Sequence, residues 1–278
     1  MSLVAGIDSG SGFTKAVLVA DPEGKPLVVA HGRTPSGIRM EEAAGEALRL
    51  ALKQAGVDRP DVEYVVATGF GRYGVGFRDI QVTEITSAAR GAWFLWPETE
   101  CVLDIGSQST RTIGLREGGK VRAFKINDKC AAGSGMFIVR AAKYLGTPLE
   151  QVGSLSLAAE NPQPISSICA VLAESEIINH VSAGVGVEDL FRGIHDSLAD
   201  RAAAMLKRVG MQKQVTFIGG VARQDGIVQA LRQRLGVNVH VPDDCDMVCA
   251  LGAALLGLGR VRLKKEPAHA KSSSTSST

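Results

Sequence analysis

A twelve-residue pattern occurs twice in this chain, and the duplication limits the folds open to it. Residues 7–18 read IDSGSGFTKAVL and residues 103–114 read LDIGSQSTRTIG. At a constant offset of 96, Asp8 matches Asp104, Gly10 matches Gly106, Ser11 matches Ser107, Thr14 matches Thr110 and Lys15 matches Arg111. Each copy follows a short apolar run that reads as a buried strand, and each leads into a second β-prone run. Turn signals follow at matching places, DPEGKP from Asp21 and REGGK from Arg116. Each copy is therefore expected to be a hairpin whose turn carries Asp-x-Gly-Ser.

Helical patterns separate these strands. Apolar spacing near 3.6 residues runs through 40–56 and stops at Gly56, and similar patterns cover 83–95 and 189–210. Residues 62–72 and 214–223 each read as a buried strand entering a glycine-rich turn, and a helix is expected from about Met247. Strands alternating with helices indicate α/β layers. With 278 residues of which 45% are hydrophobic, the chain can bury about two domain cores. We expect domains at 1–95 and 96–263. The remaining segment, 264–278, lacks apolar periodicity, is rich in Ser and Thr, and is expected to be a disordered tail.

Charge and segment length exclude several functions. Lys and Arg number 31 against 29 Asp and Glu. The tail alone carries three Lys and one Glu, so the body is neutral. A neutral body does not provide the basic stripe that nucleic acid requires. No apolar run nears the roughly 20 residues that span a bilayer. No export signal is read at the N-terminus, and the cysteine count, five, is odd. A cytoplasmic location is expected, with reduced thiols or metal ligands rather than a disulfide framework.

An Asp-x-Gly-Ser turn suits phosphate. Its glycine lets the backbone approach closely, while the Ser hydroxyl and turn N–H groups donate to phosphate oxygens. The Asp carboxylate is a hard ligand for Mg²⁺, usually through water. Lys15 adds a point charge. Two such turns can grip one metal–phosphate unit between two domains. Among the cysteines, Cys130 and Cys169 each lie where a loop enters a helical pattern, a setting that favours thiolates and anionic clusters. Spacing alone leaves them open to a plainer reading as buried structural cysteines. Cys101, Cys245 and Cys249 read as core, and His180 and His195 as ordinary helix residues.

The two turns, with FIGGVAR at 217–223, resemble the phosphate and adenosine loops of the actin, heat-shock chaperone and sugar-kinase ATPase superfamily. TEITSAARGA (83–92) and CALGAALLG (249–257) are similar to its two connecting helices. ATGFGR (67–72), NDKCAAGSG (127–135) and SSICAVLAESEII (166–178) narrow the resemblance to the BadF/BadG/BcrA/BcrD family. Its members are ATPase subunits of ATP-dependent benzoyl-CoA reductase and activators of 2-hydroxyacyl-CoA dehydratases. VTEITSAARGAWFLWPETECVLDIGSQ is most similar to the small reductase ATPase subunits.

The resemblance implies a two-domain, actin-like α/β ATPase, a duplicated ribonuclease H-like fold with a nucleotide cleft between domains. It implies ATP and Mg²⁺ as ligands. Asp8 and Asp104 would face the metal, with Gly10, Ser11, Lys15, Gly106 and Ser107 at the phosphates and Gly219 and Gly220 at the adenosine. Gln108 is the candidate for orienting the attacking water, because an amide both donates and accepts. Glu84 is a further catalytic candidate. The family also implies a [4Fe–4S] cluster shared across a subunit interface, held here by Cys130 and Cys169, with ferredoxin as electron donor. Expected partners are a larger homologous ATPase subunit and the benzoyl-CoA-binding reductase subunits. A homodimeric dehydratase activator is the alternative; a small-molecule kinase or a non-catalytic nucleotide-binding scaffold lies further off.

Overall fold

The structure, a computed structural model, describes residues 2–166 and 169–265. Two five-stranded mixed sheets share one topology. The first contains β1 (Ser2–Ser9), β2 (Phe13–Asp21), β3 (Leu27–Pro35), β4 (Tyr64–Thr68) and β5 (Ile80–Gln81), in the order β3-β2-β1-β4-β5. The second contains β6 (Cys101–Ile105), β7 (Thr110–Arg116), β8 (Lys120–Asn127), β9 (Gln214–Ile218) and β10 (Asn238–His240), in the order β10-β9-β6-β7-β8. In each, three antiparallel strands are followed by two parallel ones.

The repeat read in the sequence persists in the register. Asp8 lies opposite Lys15 across the first hairpin, and Asp104 lies opposite Arg111 across the second. Even the irregularities repeat: the β2–β3 register slips between Leu18 and Val19, and the β7–β8 register slips between Gly114 and Leu115, 96 residues later. A bulge bends a strand and raises its twist, so both hairpins curl alike.

Among the described residues eight α-helices cover the sheets: α1 (Met40–Ala55), α2 (Glu84–Leu95), α3 (Gly135–Tyr144), α4 (Val152–Leu157), α5 (Ala170–Ser182), α6 (Val187–Arg208), α7 (Asp225–Leu235) and α8 (Val248–Lys265). Helix α1 ends as its sequence predicts, with Gly56 left-handed at φ 67°. It seals one face of the first sheet through Ala44, Ala47, Leu48 and Ala51. Helix α8 seals the other face. Val4, Val17 and Val66 pack against Ala250, Ala254 and Leu258 of α8. Helix α2 crosses the opposite way, its Ile85, Ala88 and Ala92 joining Val102, Ile113 and Ile218 of the second sheet. The two crossing helices touch with almost no side chain between them: a Cβ on Gly252 of α8 would collide with the Ser87 carbonyl oxygen of α2, and one on Gly6 of β1 would collide with Ala250.

Helix α8 runs two residues past the end expected at Leu263. Arg262 pairs with Asp21 at 2.7 Å and Lys265 with Glu63 at 2.8 Å, so Lys264 and Lys265 belong to the folded body. The rest of the expected disordered tail, 266–278, lies outside the described residues.

Candidate functional site

Each hairpin turn presents its carboxylate from the end of a central strand. Asp8 ends β1 beside Ser9, and Asp104 precedes Ile105 at the end of β6. Both are nearly buried, at 8% and 3% exposure. Lys15 Nζ lies 3.0 Å from Asp8 Oδ2, and Arg111 Nη1 lies 2.9 Å from Asp104 Oδ2. These pairs follow from the register, because residues opposite each other in a hairpin share a face.

The turns meet across one cleft of about 580 Å³. A Cβ on Gly12 of the first turn would lie 2.9 Å from Ser107 Cβ of the second. Asp8, Gly10, Ser11 and Lys15 line one side; Asp104, Gly106, Ser107 and Gln108 line the other, with Glu84, Gly219 and Gly220 at the same cavity. The structure thus brings every sequence-predicted nucleotide residue to one place. Cys130 and Cys169 stand apart from that lining.

Burial and neighbouring charge act on both members of these pairs. Burial pushes the Asp104 carboxyl above the usual range; Arg111 pulls it back, and the charge of Asp8 raises it further. Burial works against protonated Lys15, but the ion pair with Asp8 outweighs it and the ammonium is held more firmly than usual. Two facing carboxylates in a dry site favour a cation between them. Among the described residues no group of three or more His, Cys, Asp or Glu could hold a metal ion.

Glu84 opens α2, capped by Thr83, whose hydroxyl accepts from the Thr86 N–H. Its two oxygens are both engaged, by Arg72 Nη1 at 2.9 Å and Arg111 Nη2 at 3.2 Å. Glu84 therefore joins the Asp104–Arg111 pair to Arg72, which also donates to the Gly69 carbonyl. Gln108 is exposed at the tip of the second turn.

Several cleft residues carry no site signature in the sequence. Gly69 follows β4 as Gly219 follows β9. The pair has φ values of 92° and 94°, and a Cβ on either would lie 2.6 Å from Oδ1 of Asp8 or Asp104. The available signal is a glycine after each parallel strand, and at Gly69 no Asp-x-Gly-Ser pattern accompanies it. Cys249, expected as core, is buried at the cleft floor with Sγ 3.9 Å from Asp104 Oδ2. Burial, then Asp104 and Asp8, push its thiol well up, so it stays protonated. Asp246 joins Arg33 of β3 at 3.3 Å to Arg223 at 3.1 Å, tying the first sheet to the turn after β9. No local pattern marks such a loop acid.

The cysteines fall into two groups. Cys101, Cys245 and Cys249 are buried; Cys130 and Cys169 are partly exposed, and all five are free thiols. Cys169 is the residue immediately before α5. Cys130 precedes a short 3₁₀ turn, Ala131–Gly133, before α3, so it is further from a helix start than its sequence suggests. The segment after Cys130 is fastened to the second turn. The Gly135 N–H donates to the Gly106 carbonyl at 2.9 Å and the Met136 N–H to the Ser107 carbonyl at 2.8 Å. The Thr110 hydroxyl donates to the Gly133 carbonyl. Ala170, Ala173 and Ile177 of α5 share a core with Ala132 and Ile138, against which Cys130 packs.

Two sheets of one topology, with paired acidic turns closing on a single cleft, define an actin-like ATPase fold. The BadF/BadG/BcrA/BcrD ATPase family matches residues 5–257. The chain is 38% identical over 250 residues to the 2-hydroxyisocaproyl-CoA dehydratase activator of Clostridioides difficile, covering 90% of this chain and 92% of that one. It is 39% identical over 269 residues to a benzoyl-CoA reductase subunit of Thauera aromatica, covering 94% of each. The solved structure of the Clostridium difficile activator with bound ADPNP superposes with a TM-score of 0.89 at 37% identity, covering 94% of this chain and 96% of that one. The chain belongs to the BadF/BadG/BcrA/BcrD ATPase family. Among the described residues, no helix is long and apolar enough to cross a membrane.

Proposed function

We propose that this chain is an ATP-hydrolysing electron activator for a partner acyl-CoA enzyme, and specifically the ATPase subunit of an ATP-dependent benzoyl-CoA reductase. The observation that carries the reading is the pair of acidic turns facing one cleft, with the second turn fastened to the segment that bears Cys130. The similarity to the Thauera aromatica reductase subunit over 94% of both chains supports the specific role.

In this reading the turn N–H groups, Ser11 and Ser107 hold ATP phosphates, and Lys15 balances their charge. Asp8 and Asp104 would hold Mg²⁺ through its waters, and the metal would neutralise phosphate charge when bound. Gln108 orients water for attack. Glu84, locked between two guanidiniums, positions Arg111 against Asp104. Hydrolysis alters what the second turn grips. That turn is bonded to the start of α3, so its movement is passed over five residues to Cys130.

Cys130 and Cys169 would supply half of a cluster site. Cys130 and Cys169 are accessible, unlike the other three cysteines, and belong to segments that share one core. A cubane needs four thiolates, so two would come from a second subunit; such a cluster would supply a one-electron carrier fed by ferredoxin. Exposed Val171, Leu172, Ile178 and Val181 give α5 an apolar surface for that subunit. Cytoplasmic location accords with this chemistry.

Protein purified without oxygen is expected to contain iron and acid-labile sulfide, and Cys130→Ser or Cys169→Ser to lose most of both while ATP binding persists. Iron that is unchanged in both variants would sink the cluster assignment and favour a small-molecule kinase. A homodimeric activator of a 2-hydroxyacyl-CoA dehydratase is the second reading, favoured by the TM-score of 0.89 to such an activator. Anaerobic co-purification separates the two: a stable complex with a larger homologous subunit supports the reductase, and a free homodimer supports the activator.

A further inference from the structure

Three side chains beyond the phosphate turns form a relay that ends in the cleft. His195 of α6 is fully buried, with Nδ1 2.8 Å from Ser156 Oγ of α4 and Nε2 3.1 Å from Gln224 Oε1. Burial pushes the imidazole down to about 4, so it is neutral near pH 7; the bond to Gln224 opposes this shift and the charge of Arg192 adds to it. A neutral imidazole offers one N–H and one lone pair. Gln224 turns its carbonyl oxygen to the ring, so Nε2 carries the proton and donates, and Nδ1 accepts from the Ser156 hydroxyl. The Gln224 oxygen is thereby committed to the interior, which leaves its NH₂ group for the cleft that Gln224 lines.

The surroundings of that NH₂ group suit a flat base. Gln224 lies four residues after Gly220 and immediately before α7. Ile138, Val139, Leu149 and Val221 line the same cleft, giving an apolar wall. An apolar wall with one oriented donor discriminates by hydrogen bonding, because a ligand without the acceptor leaves the donor unpaired. We infer that Gln224 is a specificity-determining residue that donates its amide N–H to a ring nitrogen of the purine base, and that Ser156 and His195 are positioning residues that hold the amide in that orientation. The inference rests on the proposal that the cleft takes ATP.

The test is calorimetric binding of ATP and of 1-deaza-, 3-deaza- and 7-deaza-ATP to the full chain purified without oxygen. Wild-type protein is expected to bind one of the three analogues about five- to tenfold more weakly than ATP, the worth of one neutral hydrogen bond. Gln224→Ala is expected to weaken ATP by a similar factor and to lose discrimination against that analogue. Gln224→Glu keeps the side-chain size and removes the NH₂ group, so it is expected to weaken ATP at least as much. Ser156→Ala is expected to raise KM for ATP a few-fold with kcat unchanged. Equal binding of all four nucleotides by wild type, or undiminished discrimination in Gln224→Ala, overturns the inference while the nucleotide reading stands. Failure of wild type to bind ATP overturns both.

Discussion

Asp104→Asn is expected to lower ATP turnover by about 10²- to 10³-fold, the range seen when one group is removed from a preorganised electrostatic site. The substitution keeps the size of the side chain and removes the charge of one of the two turn carboxylates. Stability should change far less. Burial already makes the Asp104 charge unfavourable, and Arg111 keeps a partner in Glu84 at 3.2 Å. A buried ion pair contributes little net stability where the remaining charge stays paired. Phosphate release measured beside a thermal melt checks both halves of the expectation. Turnover within about threefold of wild type would remove Asp104 from the reaction. Asp8→Asn should lower turnover alike, since the two carboxylates hold equivalent places in the repeat, but it should cost more stability, because Asp8 is the ion-pair partner of Lys15. The double variant should lose much less than the product of the two losses, because both groups act on one phosphate unit.

The largest stability effect is expected from Gly252→Ala, a change of one methyl group. At this position α8 and α2 meet backbone to backbone, and the added carbon would collide with the Ser87 carbonyl oxygen. Overpacking costs about 1–3 kcal/mol where side chains can shift. Here a helix must move, so about 3 kcal/mol or more is expected. For a chain of this length that lowers Tm by roughly 6–12 °C. Gly259→Ala provides the control. It sits in the same helix with nothing within 4 Å of the new Cβ, so it should stabilise by about 0.5–1 kcal/mol through helix propensity. Equal melting of the two variants would mean that α2 and α8 do not meet closely at Gly252.

The duplicated hairpins are the most legible part of the chain because their determinants are local. An acid, a glycine and a hydroxyl within four residues specify a turn, and the matching base seven residues on specifies its register. The same holds for α1, whose apolar spacing and closing glycine stand within one segment. What sequence does not reveal depends on contacts between distant segments. Gly69 acquires its role only when β4 pairs beside β1. Asp246 becomes a bridge only when β3 and the turn after β9 approach it from opposite sides. His195 reads as an ordinary helix residue until α6 carries it between Ser156 and Gln224. Periodicity marks which face of a helix is buried but not what it is buried against. For that reason periodicity alone does not give the exchange of α2 and α8 between the sheets, which only the resemblance of 83–92 and 249–257 to connecting helices points to.

That exchange also sets an order of events at the ribosome. When the first 240 or so residues have been synthesised, the strands that carry Asp8 are complete, yet Val4, Val17 and Val66 have no covering layer until α8 follows. The first sheet must therefore wait, sticky on one side, until α8 has been translated. Nascent chains held in that interval are the form most exposed to holdase chaperones and to aggregation.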